Sequence, residues 1–178
     1  MAPAWMVGNS MLFSFLLGVV PLVITRAVIT WDSINAKIAL EFPTVPSLTV
    51  DTLAYRLEVA ASNGVPPPFV LIDARPSTEF AVSHLKGAVR FETAEAVAAA
   101  FPDRDTELVI YCSVGYRSAR LGSELQAKGY SRVSNVKGSI FEWANTGHPV
   151  YRGGQVVHKV HSYDANWGVL LDPQFHPL

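Results

Sequence analysis

Two unbroken apolar runs, Phe69-Val70-Leu71-Ile72 and Leu108-Val109-Ile110-Tyr111, constrain this chain more than any other feature. A strand with one solvated face alternates apolar and polar side chains. A run without alternation has to be covered on both faces. Strands of that kind belong to parallel sheets with helices packed on either side.

The segments around these runs fit that architecture. Residues 48–50 read as a short strand, and Asp51 as the cap of a helix over 52–61 with Leu53, Leu57 and Ala60 on one face. Asn63-Gly64 and three prolines, Pro66 to Pro68, end it. A short helix over 76–82, a brief strand over 87–89 and an alanine-rich helix over 93–100 follow. After the second apolar run come a loop, a helix over 118–128 stopped by Gly129, a strand over 133–136, and a short helix over 139–145 containing Trp143. This alternation predicts an α/β domain with a central, mostly parallel sheet flanked by helices. Its expected extent is 44–152, with 153–178 as a tail packed on it.

The residues before position 44 read differently. No side chain ahead of Arg26 is charged, and residues 11–24 are apolar apart from Ser14. Alone that run spans about 21 Å as a helix, short of the ~30 Å hydrocarbon core of a bilayer. Extended back to Trp5, or forward to Trp31 with Arg26 reaching the headgroups, it becomes long enough. Residues 1–43 are therefore expected to be an uncleaved single-pass anchor near 5–31 plus a linker, with a cleaved export signal as the alternative. Arg26 and Lys37 after the run favour a cytoplasmic, or equivalent organellar, side for the domain.

Net charge is −1, from 14 basic and 15 acidic residues, and no basic block occurs, which argues against nucleic acid as a partner. The single cysteine, Cys112, excludes an intramolecular disulfide and a CxxC metal site. An isolated cysteine is ordinarily a small buried hydrophobe. This one ends a buried strand and opens the loop Ser113-Val114-Gly115-Tyr116-Arg117 ahead of a helix starting near Ser118. Sites in α/β folds gather at the C-terminal ends of the strands, and a helix start directs unpaired N–H groups into such a loop. Amides of Ser113 through Arg117 are expected to converge on the sulfur, stabilising a thiolate or a persulfide anion. Gly115 permits a positive φ, Arg117 supplies a permanent forked cation for an anion, and Ser118 caps the helix.

Taken together, several motifs resemble the rhodanese family. Asp73-Ala74-Arg75-Pro76-Ser77-Thr78-Glu79-Phe80 and then Ser83-His84-Leu85-Lys86-Gly87-Ala88 look like D-x-R-x-x-x-E-[FY] and G-H-[IL]-x-G-A. Cys112-x-x-Gly115-x-Arg117-Ser118 matches the active-site loop, and Gly138-Ser139-Ile140, Trp143 and Gly147-His148-Pro149-Val150 resemble the closing signature. Ser83 and Ser139 stand where the family often has glycine.

The resemblance implies a sulfurtransferase needing no metal or organic cofactor. Cys112 would take the outer sulfur of a small anionic donor, thiosulfate or a persulfide, and pass it to a thiol or cyanide. Residues 113–118 would bind the donor, with Arg117 holding its charge. Asp73, Arg75, His84 and Trp143 are expected to support the structure, His84 by packing and hydrogen bonding rather than as a base. The alternatives are a non-turnover binding or redox-sensing module of the same fold and, further off, a phosphatase or arsenate reductase. The dual-specificity phosphatases that share the fold have five residues between Cys and Arg, whereas four intervene here. His158, His161, Asp164 and His176 in the tail are expected to be solvated or packed rather than metal ligands.

Overall fold

The computed structural model describes residues 29–177. Helices α1 (Trp31–Glu41), α2 (Val50–Ser62), α3 (Ser77–Phe80), α4 (Ala94–Ala100), α5 (Tyr116–Ala127) and α6 (Ser139–Asn145) alternate with strands β1 (Ser47–Leu48), β2 (Val70–Asp73), β3 (Val89–Arg90), β4 (Leu108–Tyr111) and β5 (Val133–Val136). These strands form one sheet in the order β1-β5-β4-β2-β3, and every pairing in it is parallel. The two apolar runs are its central neighbours, with Val70 opposite Leu108 and Asp73 opposite Tyr111.

Both faces of the sheet are covered, as the lack of alternation requires. Leu71, Val109 and Tyr111 face one core, shared with Ile34 and Ile38 of α1, Leu53 of α2 and Phe141 of α6. Ile72, Leu108, Ile110 and Cys112 face the other, with Val97 of α4 and Leu121 and Leu125 of α5. Every residue of β4 is fully buried. The register of β4 thus turns Cys112 toward the face that α5 covers.

Several boundaries differ from expectation for local reasons. Thr49, not Asp51, caps α2: its side chain accepts from Thr52 N–H, and Asp51 lies in the first turn. The cysteine loop is tighter than expected, because α5 begins at Tyr116 and Gly115 at its N-cap is left-handed, with φ 106°. Ser118 is therefore inside the first turn and caps nothing.

The forward limit of the expected anchor, Trp31, falls at the start of a separate helix. Thr30 is in an extended conformation and forms a reciprocal capping box with Ser33, so the helix bearing Trp31 starts there. Trp31 packs partly buried against the domain core beside buried Ile34 and Ile38. The remainder of the expected anchor, residues 5–28, lies outside the described residues. Among the described residues, no helix is long and apolar enough to cross a membrane.

The C-terminal tail has more order than its sequence announces. Strands β6 (Val150–Arg152) and β7 (Gln155–Val157) make an antiparallel hairpin, and two 3₁₀ turns, Gly168–Leu170 and Pro173–Phe175, follow. Leu170 and Leu171 are buried in the α1–α2–α6 core. His176 Nε2 sits 3.1 and 2.9 Å from the carbonyls of Gly168 and Leu171.

Candidate active site

The sulfur of Cys112 lies where β4 ends and α5 begins. The residue is 1% exposed, so a reactant can approach only through the mouth of the loop. Gly115 N–H donates to Sγ at 3.2 Å, and Ser118 Oγ lies 3.4 Å from it. Ser118 Oγ is also 2.6 Å from Asn135 Oδ1. A hydroxyl has one hydrogen, so Ser118 donates to Asn135 while Cys112 is a thiol and can turn to the sulfur once it is charged. Burial pushes the Cys112 thiol up. The Arg117 charge, the Ser118 hydroxyl and amide, and the Gly115 amide together outweigh it and leave the pKa below the ordinary thiol value.

The loop is tied down from its far side. Asn135 Nδ2 donates to the Gly115 carbonyl at 3.0 Å. Ile140 and Phe141 at the start of α6 donate to the carbonyls of Cys112 and Ser113 at 3.2 and 3.1 Å. Ser139 Oγ accepts from Cys112 N–H at 3.1 Å and donates to the Val136 carbonyl at 2.9 Å. Ser139 keeps a left-handed backbone, φ 51°, although it is not glycine. Tyr116, at the rim, is held by α1: its hydroxyl donates to Glu41 at 2.5 Å and its ring meets Phe42 edge-on.

Arg117, the expected cation of the loop, is paired. Its two terminal nitrogens donate to Glu79 Oε1 and Oε2 at 2.7 and 2.8 Å, a bidentate pair. Nη2 also donates to Ser113 Oγ at 2.9 Å, and that hydroxyl donates to Glu79 Oε2 at 2.9 Å. Burial pushes the Glu79 carboxyl up, but Arg117 and Ser113 outweigh it and hold it below the usual carboxylate value. Tyr163 from the tail covers one face of the guanidinium, 4.9 Å from ring centroid to Cζ.

Above the sulfur is a pocket of about 90 Å³ lined by Cys112, Ser113, Val114, Tyr116, Arg117, Tyr163 and Trp167. The expected loop residues 112–117 are thus brought together, with Ser118 beneath the sulfur, and Gly115 forming the cradle rather than the wall. The expected convergence of five amides is narrower: the loop amide that bonds the sulfur is that of Gly115.

The supporting residues lie apart from the pocket. Asp73 and Arg75 form a fully buried ion pair, and Arg75 Nη2 also donates to the Ser83 carbonyl at 2.6 Å. Burial and then Asp73 push the Tyr111 phenol well up, and its oxygen accepts from Leu85 N–H at 3.0 Å. His84 stacks on Phe80 at 4.0 Å, with Nδ1 3.1 Å from the Phe80 carbonyl, and its ring makes no hydrogen bond to Cys112 or Arg117. Trp143 is buried and donates to the Pro149 carbonyl at 3.0 Å. Among the described residues no cluster of His, Cys, Asp and Glu has metal-binding geometry.

The Rhodanese-like domain family model matches residues 57–146, half of the chain, and spans both the Glu79 motif and the Cys112 loop. The chain belongs to the rhodanese-like family. It is 31% identical over 70 residues to thiosulfate sulfurtransferase PspE of Escherichia coli K12, which covers 38% of this chain and 67% of that protein. It is 29% identical over 85 residues to adenylyltransferase and sulfurtransferase UBA4 of Candida albicans, 43% of this chain and 19% of that protein. The chain spans less than half the length of several curated relatives it matches. The structure of thiosulfate sulfurtransferase from Pseudomonas aeruginosa superposes with TM-score 0.55 at 21% identity, over 70% of this chain and 23% of that one, a likeness of fold.

Within this rhodanese-like frame, five contributors are not marked by their local sequence. Glu79 was part of a motif but had no partner to name, since Arg117 is 38 residues away. Asn135 and Ser139 are polar residues at the end of β5 and the start of α6, and that break in an apolar stretch was the available signal. Tyr163 and Trp167 carry no local pattern that points to Cys112.

Proposed function

We propose that this chain is a sulfurtransferase that carries one sulfur atom as a Cys112 persulfide. The observation that carries this reading is the buried Sγ at the strand end, held by Gly115 N–H at 3.2 Å beneath a pocket of about 90 Å³. With thiosulfate as donor, the thiolate attacks the outer sulfur. The new S–S bond forms as the bond to the sulfonate sulfur breaks, sulfite leaves with its electron pair, and Cys112–S–S⁻ remains. A thiolate or cyanide then attacks the terminal sulfur and regenerates the Cys112 thiolate.

Gly115 N–H, Ser118 and the Arg117 charge stabilise the anionic sulfur at both stages. A phosphatase reading is weakened by the four-residue spacing and by Glu79, which occupies the guanidinium a phosphoryl group would need. The apolar run at 11–24 supports attachment of this domain to a membrane, which alkaline extraction of membranes carrying the full chain would test.

The test of sulfur transfer is direct. After incubation with a sulfane donor, intact mass should show a single-sulfur adduct on wild type and none on Cys112→Ala, and cyanide should release the sulfur as thiocyanate. Wild type that forms no adduct with thiosulfate or any organic donor would overturn the reading.

A further inference from the structure

We infer that the C-terminal tail makes this site selective for organic sulfane-sulfur carriers of low charge, with an apolar group on the carrier, over inorganic thiosulfate. The inference rests on the sulfur-transfer reading and names the substrate class and the residues that set it. Two independent observations carry it.

The first is charge. Arg117 is the only charged side chain lining the pocket among the described residues. Both of its terminal nitrogens donate to Glu79, one of them also to Ser113, and one face is covered by Tyr163. Glu79 is 3% exposed, so water does little to screen it from the site. The formal charges of Arg117 and Glu79 sum to zero, so the thiolate leaves the site with one net negative charge. Thiosulfate would add two more with no unpaired cation to meet them. A protonated persulfide adds none, and an ionised persulfide or a thiosulfonate adds one.

The second is the wall. Tyr163 and Trp167 come from a segment that follows the family match at 57–146, and they stand over the sulfur as two aromatic surfaces. The tail that bears them is fastened. Leu170 and Leu171 are buried, Asn145 Nδ2 donates to the Leu170 carbonyl at 2.8 Å, and Asp172 N–H donates to Asn145 Oδ1 at 2.8 Å. Tyr163 is itself held at φ 66°, an uncommon conformation for a residue with a side chain, and its amide donates to His161 Nδ1 at 3.0 Å. Aromatic faces at a pocket mouth reward an apolar substituent and give nothing to a bare sulfonate.

The step for a persulfide balances without another reactant. The Cys112 thiolate attacks the outer sulfur of R–S–SH, and the S–S bond to R–S breaks. R–S⁻ leaves and takes up the proton the outer sulfur carried, leaving Cys112–S–S⁻ and R–SH. The Cys112 sulfur is oxidised as the R–S sulfur is reduced.

Three donors separate the two causes: thiosulfate, methanethiosulfonate and benzenethiosulfonate. Each second-order rate of Cys112 persulfide formation in the full chain is divided by the same donor's rate with free N-acetylcysteine, which removes intrinsic reactivity. The normalised rate should rise at least about tenfold from thiosulfate to methanethiosulfonate, the charge step. It should rise again by about threefold or more to benzenethiosulfonate, the wall step. Trp167→Ala and Tyr163→Leu should abolish the second rise and keep the first. Glu79→Gln, which removes the charge that neutralises Arg117, should shrink the first rise and keep the second. A normalised thiosulfate rate equal to or above the other two would overturn the inference while leaving sulfur transfer standing. A second rise that survives both tail variants, folded by circular dichroism, would overturn the role of the tail. Failure of all three donors would instead remove the sulfur-transfer reading itself.

Discussion

One stretch of sequence, residues 73–80, supplies the acid or base of two ion pairs with opposite uses. Asp73 and Arg75 pair with each other at 2.7 Å, both fully buried, at the end of β2. Glu79 pairs across the fold with Arg117, which is 25% exposed at the mouth of the pocket. The first holds backbone: Arg75 also binds the Ser83 carbonyl, so the pair ties the strand end to the turn after α3. The second holds charge: it positions a guanidinium whose field reaches the Cys112 sulfur. Burial decides between the roles. A pair sealed from solvent has no reactant to act on, whereas a pair at a pocket edge can be felt by whatever enters.

That contrast breaks first, and most severely, at Arg75. Arg75→Met leaves the Asp73 carboxylate buried without its partner, a change that costs about 3–5 kcal/mol. Urea unfolding followed by far-ultraviolet circular dichroism should show that loss, with the folded remainder alkylating Cys112 with an unchanged pH midpoint. A loss under about 1 kcal/mol would contradict the scaffold role. Arg117→Met should cost less, about 1–3 kcal/mol, because Ser113 still donates to Glu79. Its larger signature is chemical. Losing the first of the influences that lower the Cys112 pKa, it should move the pH midpoint of iodoacetamide alkylation upward. If Arg75→Met moved the midpoint and Arg117→Met did not, the assignment of roles would be reversed.

Acid titration sharpens the same contrast at Glu79. Its folded pKa lies below the ordinary carboxylate value of 4.5, chiefly because Arg117 and Ser113 outweigh its burial. Between the folded value and 4.5, the unfolded chain binds more protons, so stability rises with pH there. The contribution is complete above about 4.5 and is lost as pH falls through the folded value. Unfolding midpoints in urea measured below pH 5 should therefore fall less steeply for Glu79→Gln than for wild type. Equal slopes would mean that Glu79 gains nothing from Arg117 on folding.

Local patterns made most of this architecture legible. The two unalternated runs required a sheet covered on both faces, and the cysteine at the end of one of them placed the candidate site. Contacts between distant segments were hidden for a physical reason: their partners share no period. Thr49 displaced Asp51 as a cap because the side chain that reaches the Thr52 amide depends on where the extended backbone turns. Glu79 and Arg117 meet only because β2 and β4 are adjacent in register. Tyr163 and Trp167 reach the pocket through a tail whose fastening by Leu170 and Leu171 depends on the finished core. Residues 31–41 group by sequence with the anchor and linker, because Ile34 and Ile38 reveal a buried helix face only once there is a domain to bury them.

The smallest expected difference lies where scaffold and site meet, between two variants of Ser139. Its hydroxyl bridges Cys112 N–H and the Val136 carbonyl, yet its backbone is left-handed at φ 51°. Ser139→Ala keeps the strained Cβ and leaves both buried backbone groups without that partner, at about 1–3 kcal/mol. Ser139→Gly loses the same hydroxyl but relieves about 1 kcal/mol of left-handed strain. The glycine variant should therefore unfold at a higher urea concentration than the alanine variant, although glycine is ordinarily the less stable choice in a helix. Wild type should exceed both, because the bridge is worth more than the strain it requires. Alanine outlasting glycine would show that the φ at this position costs the fold nothing. Glycine outlasting wild type would show that the hydroxyl contributes less to holding Cys112 than its two hydrogen bonds imply.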